Sequence, residues 1–240
     1  MANKLNQFTT HSSQFTNFAF TLAETLIVMG IIGVVAALTL PNLNSSTGDK
    51  EKVTKVKKIY SNLNDAFGRV EGIYGNYTEW YHPSGNGMFQ LGDRMTDFLK
   101  ISKSCNETKA SNDGCFAKNV DDTVDIDAKA FVLADGTSVA HFLGSFFVDI
   151  DGPNKGKNKF GEDIFLFYAN NETGEFGYTD PNYDISTDAK LKENCFNSNS
   201  TKYGCAGWII QIGNMDYLKV DNNGKCPNGT ILSWTNTTCK

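Results

Sequence analysis

Three regimes of apolar patterning follow one another along the chain. Residues 20–40 read FTLAETLIVMGIIGVVAALTL, apolar on every side, with Glu24 the only charge among them. As an α-helix these 21 residues cover about 31 Å, the span of a bilayer's hydrocarbon core. From residue 51 the period changes: Val53, Val56, Tyr60, Leu63, Phe67, Val70 and Tyr74 recur at alternating steps of three and four. That spacing gathers one apolar stripe on an amphipathic helix. Joined to the membrane part it makes one helix of about 50 residues, about 80 Å at the helical rise. A coiled coil is the alternative use of the stripe; at this length packing against the chain's own domain is the favoured one. Pro41 and the following NLNSSTG interrupt the pattern. Proline removes a backbone hydrogen bond and clashes with the preceding turn, so a kink or a melted stretch is expected there.

The third regime is strand-like. Residues 88–101 have helical spacing (Leu91, Met95, Phe98, Leu99), but residues 130–134 and 137–142 flank Asp135-Gly136, a strong hairpin signal. Residues 145–150 and 163–168 are two further apolar or aromatic strands. Residues 205–212 read as a short helix or a buried strand around Trp208, and residues 221–240 as a hairpin that folds back. The predicted fold is α+β, a long N-terminal α-helix packed on a C-terminal antiparallel β-sheet headpiece.

Composition refines this picture at two points. The 22 basic and 27 acidic residues give a net charge of −5, so the chain as a whole has no electrostatic pull toward nucleic acid. All six cysteines (Cys105, Cys115, Cys195, Cys205, Cys226, Cys239) lie well beyond the apolar run and its amphipathic continuation. None has the C-x-x-C spacing of a zinc or redox site, and neither His82 nor His141 lies at finger spacing from them. An even count in loop-rich sequence marks an oxidising compartment; buried thiols are the alternative. Pairing in chain order is one of 15 connectivities and the favoured one.

Two features fit an ordinary secretory signal poorly. The polar stretch before the apolar run is long, with Lys4 its only basic residue. A carboxylate inside the run is costly, hence a functional candidate, unless Glu24 merely reaches the interface from the helix start. The segment Ala19-Phe20-Thr21-Leu22-Ala23-Glu24 resembles the processing site of type IV prepilins and type II secretion pseudopilins. In that family a prepilin peptidase cuts before a Phe, methylates the new amino terminus, and finds Glu as the fifth residue after the cut. Glu24 is that fifth residue, Gly33 the fourteenth and Pro41 the twenty-second, positions where many pilins carry glycine and proline. Ala19 departs from the family's usual Gly, which puts the rate of cleavage in doubt.

The resemblance implies a leader (residues 1–19), a transmembrane and polymerisation helix (20–40), a kink at Gly33 and Pro41 leading into an amphipathic helix (41–80), and a globular headpiece (81–240). It implies a structural subunit rather than an enzyme. Its partners are the peptidase, the inner membrane and other subunits of a helical fibre, with the headpiece in the periplasm or outside the cell. It assigns cleavage to the Ala19–Phe20 bond, methylation to Phe20, and registration to Glu24, which meets the new amine of a neighbour. An isolated charge in hydrocarbon is expensive, whereas a pair offsets that cost. The basic cluster Lys50, Lys52, Lys55, Lys57 and Lys58 points the other way, because basic flanks favour the cytoplasm. Mixed with Asp49 and Glu51, these lysines are expected to belong to a folded helix instead.

One metal reading arises from the loop between the last two strands. Asp149, Asp151, Asn154, Asn158 and Asp163 supply oxygen donors of the kind Ca²⁺ prefers, and major pseudopilins carry calcium in a loop of this domain. The spacing is not an EF-hand, Lys155, Lys157 and Lys159 would repel a cation, and such Asx- and Gly-rich stretches also form plain turns. No phosphate-binding glycine loop, G-x-S-x-G or nucleophile with a recognisable base occurs. Two rivals stand beside the fibre subunit. One is a minor pilin whose headpiece binds DNA, a surface or a secreted substrate. The other is a secreted or anchored binding protein with an ordinary signal peptide.

Overall fold

The computed structural model describes residues 21–105, 109–118, 120 and 128–239, without the side chains of 36–47. The architecture is α+β, with one six-stranded antiparallel sheet and three disulfides. The chain divides into two units, residues 1–46 and 47–240. Helix α1 (Leu22–Tyr74) has residues in both, and helical backbone is assigned through Pro41 and residues 42–48.

In the second unit the apolar stripe of α1 becomes its buried face. Val56, Leu63, Phe67 and Val70 are buried as their spacing predicts, and Ile59 and Ala66 widen the stripe. Tyr60 packs on Phe167 at 5.5 Å between ring centroids, and Phe67 on Phe176, also at 5.5 Å. Tyr74, the last member of the stripe, stays 44% exposed, but its ring lies beside the Arg94 guanidinium at 3.9 Å. Trp80 lies beside the same guanidinium at 4.2 Å, a cation–π clamp that ties the end of α1 to the next turns. Gly75, at φ +85°, ends the helix because only glycine takes the left-handed conformation there without penalty. Asn76 then caps α2 (Tyr77–Trp80) by accepting from the Thr78 N–H.

The lysines that follow the apolar run explain themselves here. The Lys52 Nζ donates to the Glu162 carbonyl at 3.0 Å. Lys55 pairs with Asp151 at 3.0 Å and Lys58 with Asp135 at 2.7 Å. Three residues apart, they rise along one helix face and meet turns at one end of the sheet. They are fold contacts, as the mixed charge pattern suggested.

The sheet is a meander in chain order: β1 (Ile101–Cys105), β2 (Lys129–Leu133), β3 (Ser138–Phe142), β4 (Ser145–Asp149), β5 (Ile164–Ala169) and β6 (Phe176–Gly177). The Asp135-Gly136 turn joins β2 to β3 in the register Phe131↔Val139, with Gly136 at φ +91°. Alternation is hidden because both faces are covered. Phe131, Val139, Phe146, Val148, Phe165 and Phe167 enter the core shared with α1. Ala130, Ala140 and Ile164 enter a second core with Cys105, Cys115, Phe116 and Phe160 on the opposite face. Strands buried on both faces read as near-continuous apolar runs, as β5 does.

Several expectations were shifted. The helix expected over 88–101 is shorter: a 3₁₀ turn, α3 (Gln90–Met95) and a second 3₁₀ turn end at Phe98, and Ile101 opens a strand. Residues 188–196 form α4 (Asp188–Leu191) and a π-helical turn where no element was foreseen. Cys205–Ile212 is a helix, α5, ended by Gly213 at φ +82°. The C-terminal hairpin is a single antiparallel bridge, Lys225↔Ile231, held by the Cys226–Cys239 disulfide. All six cysteines pair in chain order.

Candidate functional site

Ala19 and Phe20 lie outside the described residues, so the described part of the proposed processing segment begins at Thr21. There the backbone forms a reciprocal cap. The Glu24 Oε2 accepts from the Thr21 N–H at 2.9 Å and from its hydroxyl at 3.0 Å, while Thr21 Oγ1 accepts from the Glu24 N–H at 3.3 Å. This is the T-x-x-E capping box, a signal in plain view that the resemblance had overshadowed. It gives Glu24 a local role that neither interface exposure nor intersubunit pairing requires. It also places the carboxylate in the first turn of α1.

From Leu22 to Val35 the described helix surface is apolar except for Glu24 and Thr25. Leu22, Leu26, Ile27, Val28, Met29, Ile31, Ile32, Val34 and Val35 are all more than half exposed. Gly30 and Gly33 have nothing within 4 Å of where a Cβ would stand, so another backbone could approach closely there. Among the described residues no helix is long and apolar enough to cross a membrane. The 20–40 run continues past them, through side chains 36–40.

The loop after β4 is organised by its carboxylates. Asp149 is fully buried, and its Oδ1 accepts from the N–H groups of Asp151 at 3.1 Å and Gly152 at 3.0 Å. Asp163, also buried, takes the Lys159 N–H at 2.7 Å on Oδ1, and the Asn158 N–H at 3.0 Å and the Lys157 N–H on Oδ2. A Cβ on Gly156 would stand 2.3 Å from Asp163 Oδ2; the loop backbone wraps that closely over the carboxylate. Burial, with Asp163 and Asp151 nearby, raises the Asp149 carboxyl to about 7 despite its two N–H donors.

The five expected ligands therefore divide. Asp163 is occupied by loop amides, Asp151 by Lys55, and Asn154 is exposed. Among the described residues no three His, Cys, Asp or Glu side chains are grouped to hold a metal ion. Two buried oxygens, Asp149 Oδ2 and Asn158 Oδ1, have no hydrogen-bond partner, and buried acceptors without donors are rare enough to require an explanation.

No protein-family model, curated protein or solved structure matches this chain. His141, isolated in the sequence and expected to be structural, is on β3, 1% exposed, and packs between Phe131 and Phe146. Burial pushes its imidazole down to about 4, partly opposed by Asp93 at 3.7 Å. Nothing in a lone histidine within an apolar strand announces this.

Proposed function

We propose that this chain is a structural subunit of a type IV pilus or a type II secretion pseudopilus. It is anchored in the inner membrane by its N-terminal helix, cut between Ala19 and Phe20, and assembled through that helix. The observation that carries the reading is the joint placement of Glu24 and the apolar surface. A carboxylate stands at the start of a helix whose described apolar side chains are exposed all round. Such a surface is covered by lipid or by other chains. A single carboxylate within it is best explained by a charge that arrives with a neighbour. The sheet headpiece with its disulfides suits an oxidising compartment outside the cytoplasm.

The capping box sharpens the test. Glu24→Gln keeps an acceptor for the Thr21 N–H but removes the charge, whereas Glu24→Ala removes both. Losing a helix cap costs about 1 kcal/mol; leaving an amine unpaired in hydrocarbon costs several. Both variants should be processed and inserted, and both should be depleted from sheared fibres relative to the membrane pool by tenfold or more. Normal incorporation of Glu24→Gln alongside failure of Glu24→Ala would make Glu24 a cap and nothing more.

A cation of the calcium class is the second part of the proposal, supported by the two orphaned oxygens. Asp149 Oδ2 and Asn158 Oδ1 are its candidate ligands, each an oxygen of the kind Ca²⁺ prefers and each buried without a hydrogen-bond partner. Its charge would favour an ionised Asp149 and fix the loop. Millimolar Ca²⁺ should then raise the melting temperature of the wild type, and not of Asp149→Asn. Equal melting in Ca²⁺ and in chelator would leave the loop as turns.

A further inference from the structure

A cleft of about 770 Å³ opens in the second unit between α1 and the β6 edge of the sheet. Its charge is one-sided. Glu71, Glu175, Asp180 and Asp184 line it, and no Lys, Arg or His does among the described residues. Asp184 is neutralised by Lys190 at 2.5 Å. The others have no ion pair among the described residues; Asp180 is buried and spends one oxygen on the Asn182 amides. Three tyrosines stand among them, Tyr60, Tyr168 and Tyr178, along with Phe67 and Phe176; the Tyr60 and Tyr178 rings are 5.7 Å apart, edge to face. Carboxylates beside tyrosine rings are complementary to an ammonium or guanidinium on an apolar stem, by charge pairing and by cation–π attraction.

The cleft also has length and a backbone edge. A smaller cavity of about 270 Å³ shares Tyr178, Thr179 and Asp184 with it and continues to Trp234. Strand β6 is the last of the sheet and, among the described residues, pairs only with β5, so its outer edge offers a place for another strand. Gly177 on that edge and Gly68 on α1 both border the cleft. A Cβ on Gly177 would meet nothing closer than 3.9 Å, and one on Gly68 nothing within 4 Å. A mid-helix glycine costs about 1 kcal/mol relative to alanine, and here it leaves the cleft open.

We infer that this cleft binds an extended, basic segment of a partner protein. The segment runs along the β6 edge with its Lys or Arg heads among Glu71, Glu175 and Asp180 and their stems against the tyrosines. The chain's own Lys52, Lys55 and Lys58 are engaged elsewhere, and the cleft's negative charge repels nucleic acid. The inference is independent of how the chain is anchored or assembled.

The test uses the full chain in detergent and the anisotropy of a fluorescein-labelled, amidated Lys-Val-Lys-Val-Lys peptide. Saturable binding that weakens with salt is expected, with none for the Glu-for-Lys counterpart. The Glu175→Gln/Asp180→Asn double variant should weaken it at least tenfold; both changes keep shape and hydrogen-bond acceptors. Gly68→Leu should block it by filling the cleft from a helix position with open space, which covers the case of a misfolded double variant. Binding unaffected by Gly68→Leu, no binding of the basic peptide, or competition by lysine amide at the same concentration as by unlabelled peptide would each overturn the inference. The last would mark a simple ion site.

Discussion

At the scale of single residues, His141 and Asp149 are buried titratable groups whose protonation in the fold differs from that in the unfolded chain, with opposite signs. His141 is neutral in the fold down to about 4 and ordinarily protonates near 6.5. The unfolded chain therefore holds the extra proton between those values, and this stability is lost as pH falls through the window. Asp149 keeps its proton up to about 7, against an ordinary value of 3.8. Here the folded chain holds the extra proton, and stability is lost as pH rises. From about pH 4 to 6.5 the two slopes oppose each other, each about 1.4 kcal/mol per pH unit when fully expressed. In chelator, denaturant unfolding of the wild type should thus vary little across that window. His141→Phe should leave stability falling with pH, and Asp149→Asn should leave it rising. Parallel pH profiles for the two variants would show that these residues do not control the balance.

At the scale of elements, the disulfides close the regions with the least regular structure. Cys195–Cys205 ties the π-helical turn to the first residue of α5, and Cys226–Cys239 holds a tail with one β-bridge. Each closed loop of this size contributes about 3 kcal/mol by limiting the unfolded chain. Peptide mapping of the native protein without reductant should find three links in chain order and no free thiol, and Cys226→Ser/Cys239→Ser should lose about 3 kcal/mol. Six alkylatable thiols would remove the case for an oxidising compartment. The elements legible in the sequence were those with strong local signals: the stripe of α1, the Asp135-Gly136 hairpin and the aromatic strands β4 and β5. Strand β1 was missed because Ser102, Lys103 and Ser104 are exposed on an edge and carry no apolar alternation. Strand β6 was missed because two residues make no pattern, although its Phe176 completes the core. The cleft beside it was invisible for another reason: it forms only when Tyr60 and Glu71 of α1 meet the carboxylates and tyrosines of residues 168–184.

At the scale of the whole molecule, the two units have opposite surface chemistry. The described helix of the first offers apolar side chains to its surroundings, while the second buries its apolar residues on both faces of the sheet. Of the five lysines that follow the apolar run, Lys52, Lys55 and Lys58 make contacts within the second unit. On the proposed reading, such a chain assembles only if the apolar helix becomes its amino terminus. The measurement that tests this most directly is intact-mass and N-terminal peptide mass spectrometry of the protein from its native membrane. The account predicts a mature chain that begins at Phe20 and carries one N-methyl group. A chain that begins after Ala37 or Thr39 would show removal of the entire apolar helix as an ordinary signal peptide, and would contradict the fibre-subunit reading.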